Sequence, residues 1–406
     1  MRPDFLKGIR FTDLTWAGAG PFGTKVFADF GAEVLKIETM SRPDPVRLGG
    51  PFRDGIAGTN RSGYFASRNT GKKSIALDLK QAEAREIALK LIAQSDVVSN
   101  NFGPGAMERL GLTYEECRKA KPDIIYLSMP MYGEDGPLAN LLGVGMTIAA
   151  VTGMMWMTGY GRGEAPIGPG THFPDHAANP YHAAFAVLAA LRHRRMTGRG
   201  MKIDLSQVES TTNFVGPNVV EAAIHDREPE HAGNRSRRDA PHNVFRCAGE
   251  DAWCAIAVES DAEWLALAAT IGRQDLAARQ DLRAAPGRLV AMAELETAVG
   301  AWTATRSATE VARTLQTAGV PAARVSSARD LVEEDEQLAA RGYWQRLDHP
   351  ELGRSVFTSP PFRIDGERLD LERPPLFGEH TEEVLTRLLG MSRDEIAGLA
   401  ERKILA

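Results

Sequence analysis

Short apolar runs of strand length alternate with stretches of helical periodicity over the first 130 residues, and that alternation leaves few folds open. Residues 9–14 form one apolar run, a glycine-rich turn follows, helical spacing begins near Pro21, and a second run covers 33–37. Strand, helix, strand in this order marks a βαβ unit, because parallel neighbours need a long crossover between them. The pattern continues with 74–79, a helix over 81–93, a run at 97–100, and a strand at 124–128 after a further helix. Repetition of the unit predicts an α/β chain built on a mostly parallel, doubly wound sheet.

Helix starts are marked by Ser or Thr followed three residues later by Glu, a spacing that lets each side chain satisfy the other's free backbone donor. Thr113 with Glu116, Ser206 with Glu209, Ser260 with Glu263, Ser307 with Glu310 and Ser392 with Glu395 fit it. An Ala- and Leu-rich stretch over 178–195 reads as a long helix stopped by Gly198 and Gly200. Character changes near residue 221: a charged, loop-like segment over 225–239 leads to a strand at 253–258 and helices over 260–271 and 287–303. A strand follows at 321–325, and residues 374–378 introduce a final pair of helices. The expected organisation is a large domain over 1–220, a smaller one over 221–330, and a segment over 331–406 that returns to the first. At 406 residues, two domains are the ordinary outcome.

Composition removes several function classes. Lys and Arg number 48 against 53 Asp and Glu, a net charge of −5 without long single-sign blocks, so nucleic acid is not an expected partner. No run approaches the ~20 apolar residues that cross a bilayer, and the amino terminus lacks the apolar core of a signal peptide. Cys117, Cys247 and Cys254 have neither zinc-site nor disulfide spacing, which fits a reducing cytoplasm and predicts no metal site.

One motif invites a different reading. Gly18-Ala19-Gly20-Pro21-Phe22-Gly23 matches the GxGxxG dinucleotide fingerprint, follows a strand, and has Glu38 twenty residues beyond Gly18. Yet Pro21 removes one of the amides that would face a pyrophosphate, while suiting a first helical turn. The segment is read as a tight strand-to-helix turn.

Several ordered segments together resemble the CaiB/BaiF family of class III CoA transferases. They are Asp13-Leu14-Thr15 with Ala19-Gly20-Pro21, the run from Phe27-Ala28-Asp29-Phe30-Gly31-Ala32 to Ile37-Glu38, and Asn69-Thr70-Gly71-Lys72-Lys73-Ser74 with Asp78-Leu79. Asn101-Phe102-Gly103-Pro104-Gly105, Glu108-Arg109-Leu110-Gly111, Pro122-Asp123, Thr197-Gly198-Arg199-Gly200 and Pro375-Leu376-Phe377-Gly378-Glu379-His380-Thr381 continue the match. The resemblance implies a Rossmann-like large domain, a smaller α+β domain, and two chains interlocked like links, either a homodimer or a heteromer with a homologous subunit. Within the family the chain looks most like the Asp-bearing subunit of succinyl-CoA:benzylsuccinate CoA-transferase.

By the same resemblance the catalytic group is the aspartate before the Ala-rich helix, Asp175 in Pro174-Asp175-His176-Ala177-Ala178. On sequence context alone, Asp175 reads first as an N-cap of that helix, and the resemblance reverses that order. A carboxylate suits CoA transfer because it is ionised at neutral pH without a base and can carry an acyl group, then the thiol. Coenzyme A thioesters are substrates, with no permanently bound cofactor expected. Ala19, Arg42, Lys72, Lys73, Asn101, Phe102 and Arg109 are the candidate coenzyme contacts; Met146, Trp156, His176, Arg235, Arg237 and Arg238 are the candidate substrate contacts. Methionines adapt to flat apolar ligands and arginines meet carboxylates, so an acceptor with an apolar or aromatic body and more than one carboxylate is expected; the resemblance implies a succinyl-CoA donor and an aromatic dicarboxylate such as (R)-benzylsuccinate. Departures are visible too. Gly103 stands where members often carry arginine, no glutamine occurs near Gly18, and 234–240 lacks a glycine-run lid, which argues against an oxalate substrate. An α-methylacyl-CoA racemase shares the fold, but its Gly-His-Asp-x-Asn-Tyr segment is replaced here by Gly143-Val144-Gly145-Met146. A non-catalytic scaffold subunit is the other alternative, and the presence of Asp175 speaks against it.

Overall fold

A computed structural model of the chain describes residues 4–161, 163–226 and 231–406. Strands β1 (Arg10–Asp13), β2 (Glu33–Glu38), β3 (Lys73–Ala76), β4 (Val97–Asn100), β5 (Ile125–Ser128) and β6 (Met201–Asp204) form one sheet in the order 3-2-1-4-5-6. Every neighbouring pair is parallel. This is the doubly wound order, and the direction of winding reverses between β1 and β4, which opens a crevice at their carboxyl ends.

The crossovers are helical: α1 (Ala19–Asp29), α2 (Gly63–Arg68), α3 (Ala82–Ala93), α4 (Ala106–Leu110) and α5 (Tyr114–Ala120), followed by α6 (Gly145–Val151) and α7 (Asn179–Thr197). Both faces of the sheet are covered, so β4 and β5 are buried along their whole length. Successive side chains point to opposite faces. Val98, Tyr126 and Ile37 accordingly pack with Ile87 and Leu91 of α3 and with Val384 and Ile396, whereas Phe11, Val97, Ile125 and Leu127 pack with Phe27 of α1 and Val187 of α7.

Two compact units divide the chain. The first takes Met1–Trp156, Gly168–Glu228 and Gln337–Ala406; the second takes Met157–Ile167 and Pro229–Glu336. The inclusion of 157–167 in the second is announced by no shift in composition. In that unit β7 (His242–Arg246), β8 (Trp253–Ala257) and β9 (Ala322–Arg324) form an antiparallel sheet packed on helices through Trp264, Leu267, Leu295 and Leu315. The helix expected over 287–303 is two, Ala285–Val290 and Met292–Thr303. The shorter one is held separately because the buried Arg288 reaches the carbonyls of Ala240, Leu282 and Arg283. The sequence reading also passed over the antiparallel pair β10 (Trp344–His349) and β11 (Gly353–Thr358), in which charged residues such as Arg346, Asp348 and Arg354 obscure the strand alternation.

Thr113, Ser206, Ser260, Ser307 and Ser392 each accept from the backbone three residues on, and the full reciprocal box closes at Ser260 and Ser392. Ser327 adds another with Asp330 in place of Glu. No helix among the described residues is long and apolar enough to cross a membrane.

Candidate active site

The crevice at the switch point begins with buried charge. Asp13 ends β1, and its carboxylate accepts from the Thr15 amide and hydroxyl, Thr24, Ser99 and the Lys72 ammonium. Burial pushes its pKa up, but Lys72, Lys36 and the hydroxyls outweigh that and hold it below the usual carboxylate range. Lys36 on β2 donates to the Thr15 carbonyl and pairs with Asp44, which in turn accepts from the Ala17 amide. The loop after β1 is thus tied down from below. It is also tied sideways, because Asn101 after β4 accepts from the Trp16 amide and donates to the Trp16 carbonyl, both at 2.8 Å. Phe102 meets the Trp16 ring edge-on at 5.1 Å.

Asp175 comes to this loop from the other side. It lies in a π-helical turn, Pro174–Ala178, that runs into α7, and its side chain does not cap the helix. π-turns occur often at functional positions. The start of α7 is pinned by Asn179, which donates to Gln207 and accepts from Ser210, while Gln207 donates to the Met129 carbonyl beyond β5. Two glycines receive the carboxylate: a Cβ on Gly18 or on Gly145 would stand 2.7 Å from Asp175 Oδ2. Neither has a positive φ, so close approach is what demands glycine at both positions. Gly18 is the N-cap of α1, so the amino end of that helix abuts the carboxylate and favours negative charge there.

Asp175 is only 7% exposed. Burial raises its pKa to about 6, against the opposing pull of His172, the Gly145 amide and Arg68. His172 Nδ1 lies 4.0 Å from Oδ2. At pH 7 the group is a poorly hydrated carboxylate, which is the form that attacks a carbonyl.

An aromatic wall stands beside it. Arg68, at the end of α2, lies over Phe22 at 4.8 Å and over Tyr64 at 5.3 Å. His176 meets the rings of Phe22, Tyr64 and His172 edge-on. Burial, with the nearby Arg68 and His172, lowers the His176 pKa to about 4, so the imidazole is neutral at pH 7.

The structure gathers Ala19, Asn101, Phe102, Asp175 and His176 on elements that meet at the crevice, whereas other predicted residues lie elsewhere or are already engaged. Lys72 requires correction as a coenzyme contact. It is buried, and its three protons go to Asp13, the Pro21 carbonyl and Thr24. Lys73 pairs with Glu33 and Glu383. Arg42 is exposed and stacks on Trp16 at 5.1 Å, and Arg109 is exposed at the end of α4, its side chain against Gly105. Phe102 lines a cavity of about 310 Å3 with Met107, Tyr126, Glu134 and Lys202. Met146 on α6 packs with Met155 around Gly168, and Trp156 is half exposed. Arg235, Arg237 and Arg238 belong to the second unit, where Arg235 forms a two-bond fork with Glu296. Tyr64, Arg68 and the Gly145 amide were missed from sequence. The cation of Arg68 in the otherwise apolar and small-residue run Gly63-Tyr64-Phe65-Ala66-Ser67-Arg68 was the available signal.

Comparison with known proteins agrees with this arrangement. The profile described as CoA-transferase family III matches residues 6–381. The chain is 31% identical to the formyl-CoA:oxalate CoA-transferase of Streptomyces avermitilis, over 98% of this chain and 99% of that one. It is 32% identical to the succinyl-CoA–L-malate CoA-transferase alpha subunit of Chloroflexus aurantiacus, over 98% and 92%. Against Probable CoA-transferase Rv1866 of Mycobacterium tuberculosis it is 33% identical over 98% of its own length but spans 50% of that protein. The crystal structure of a CaiB/BaiF family protein from Brucella suis superposes with a TM-score of 0.86 at 27% identity, covering 96% of this chain and all of that one. With a parallel sheet wound in the 3-2-1-4-5-6 order and a match along nearly its whole length, the chain belongs to CoA-transferase family III.

Proposed function

We propose that this chain moves coenzyme A from one carboxylic acid to another with Asp175 as the covalent carrier. The observation that carries the reading is a buried carboxylate held between two glycines at the sheet's switch point. A carboxylate oxygen of Asp175 attacks the donor thioester carbonyl, the C–S bond breaks, and CoA leaves as the thiolate with an acyl-aspartyl anhydride behind it. The thiolate then attacks the aspartyl carbonyl of that anhydride; its C–O bond breaks, the donor acid departs as a carboxylate, and Asp175 holds CoA as a thioester. The acceptor carboxylate reverses both steps and regenerates the free side chain. No proton is consumed, so no general base is required, in keeping with a neutral His176. Close packing by Gly18 and Gly145 leaves little room for a hydrolytic water at the anhydride.

Asn101, Phe102, Ala19, Arg42 and Arg109, with Lys73 at the edge, are the proposed coenzyme contacts. The proposed donor is succinyl-CoA, as named for relatives of Chloroflexus aurantiacus. An aromatic dicarboxylate such as (R)-benzylsuccinate is the proposed acceptor, its apolar body against Met146 and Trp156. Two interlocked chains, identical or homologous, are the proposed assembly. In the test, enzyme incubated with succinyl-CoA is treated with hydroxylamine or borohydride and the peptide holding Asp175 is weighed. A hydroxamate or alcohol at Asp175 is expected, and Asp175→Ala should lose transfer by at least about 10³-fold while remaining folded. An unmodified Asp175 under turnover refutes the covalent route.

A further inference from the structure

Among the described residues of the first unit, the buried cations Lys25, Lys36, Arg47 and Lys72 each meet a carboxylate: Asp29, Asp44, Glu38 and Asp13. Arg68 does not. Among the described residues no acid pairs with it, and its Nε is buried without a hydrogen-bond partner. Phe22 and Tyr64 flank the guanidinium with their rings, at 4.8 and 5.3 Å. Buried charges are normally paired, and a guanidinium flanked by aromatic rings keeps the planar fork that fits a carboxylate. The nearby acid whose charge it feels is Asp175 itself.

We propose that Arg68 anchors a second carboxylate, the one not undergoing transfer, of a dicarboxylic acyl group held at Asp175. The inference rests on the transferase reading above and adds the residue that selects the acid. Its physical basis is charge balance through the cycle. When Asp175 is acylated or carries CoA it is neutral, and Arg68 is then left as a mostly buried cation with no anion nearby. A substrate with a free carboxylate restores the pair at that moment; a monocarboxylic acyl group of the same length does not. Dicarboxylic acids are therefore favoured in the intermediate as well as in the bound complex. The neutral His176 and the Tyr64 hydroxyl beside the fork leave the second carboxylate further hydrogen-bonding partners without competing charge.

Succinyl-CoA and butyryl-CoA, alike in chain length but differing in the terminal carboxylate, are titrated calorimetrically into Asp175→Asn enzyme, which binds but cannot react. Succinyl-CoA should bind about 10- to 100-fold more tightly, the range expected of a charge-assisted bond. Adding Arg68→Met should erase that preference and leave butyryl-CoA affinity within about threefold, which also reports an intact fold. Arg68→Lys keeps the charge but not the fork, and should reduce the preference by at least about threefold; it serves if the methionine variant does not fold. A preference unchanged by either substitution, or no preference in the parent, overturns the proposal. Transfer between acids is assayed separately with Asp175 intact. Lack of transfer alongside an Arg68-dependent preference would remove the transferase reading and leave the anchor, and transfer with a preference indifferent to Arg68 would do the reverse.

Discussion

At the scale of the residue, the decisive quantity is the free energy of one ionised oxygen pair. Asp175 has its pKa raised from 3.8 to about 6, so the folded protein holds that proton more tightly than the unfolded chain does. Its contribution to stability is full below about pH 4 and is lost as the pH rises through 6. Asp175→Asn should therefore stabilise the protein at pH 7, by up to about 3 kcal/mol, with little effect at pH 4, read as urea midpoints at the two pH values. The same titration governs reactivity: kcat/KM should fall about tenfold per pH unit below pH 6, since only the ionised form attacks. A profile flat down to pH 4.5 would place the reacting group elsewhere. At position 175 sequence context favours a helix cap, and the catalytic reading comes from the family resemblance; in the structure the side chain caps no helix and lies in a π-turn against two glycines.

Among elements, the loop after β1 holds its place because a lattice of buried ions lies under it. Lys72 is the example that separates structure from binding. Had it met a phosphate, its loss would weaken CoA binding and spare the fold; instead it neutralises Asp13, so Lys72→Met strands a buried carboxylate. Removing one partner of such a pair costs about 3–5 kcal/mol. The expected result is a loss of that size in chemical denaturation, whereas Lys73→Met on the neighbouring, more exposed side chain should change stability by less than about 1 kcal/mol. A Lys72→Met variant with wild-type stability and a raised KM for CoA would return Lys72 to the coenzyme. The adjacent pair Lys72-Lys73 looks uniform in sequence, and strand alternation at the start of β3 sends one ammonium inward and leaves the other near solvent.

For the whole molecule, exposed apolar surface is the outstanding feature. Phe185 on α7 is 75% exposed, Ile224 71% and Leu142 77%. Covering by a second chain is the proposed remedy. Sedimentation should give at least twice the 44.1 kDa of one chain, and Phe185→Glu with Ile224→Glu should shift the species toward 44.1 kDa. A monomer before substitution would reject the interlocked arrangement.

The order of elements was set by sequence alone, because hydrophobic period, caps and stop glycines act between residues a few positions apart. β1 to β5, the five helix caps and the end of α7 at Gly198 all lie near where local chemistry put them. Only tertiary structure could decide which charges are spent and which are available. Asp13 finds Lys72 across 59 positions, Arg235 finds Glu296 across 61, and Arg68, on a different helix, feels the charge of Asp175 without pairing with it. Coulomb energy and desolvation depend on distance and burial in space, and no spacing along the chain encodes either until the sheet has wound.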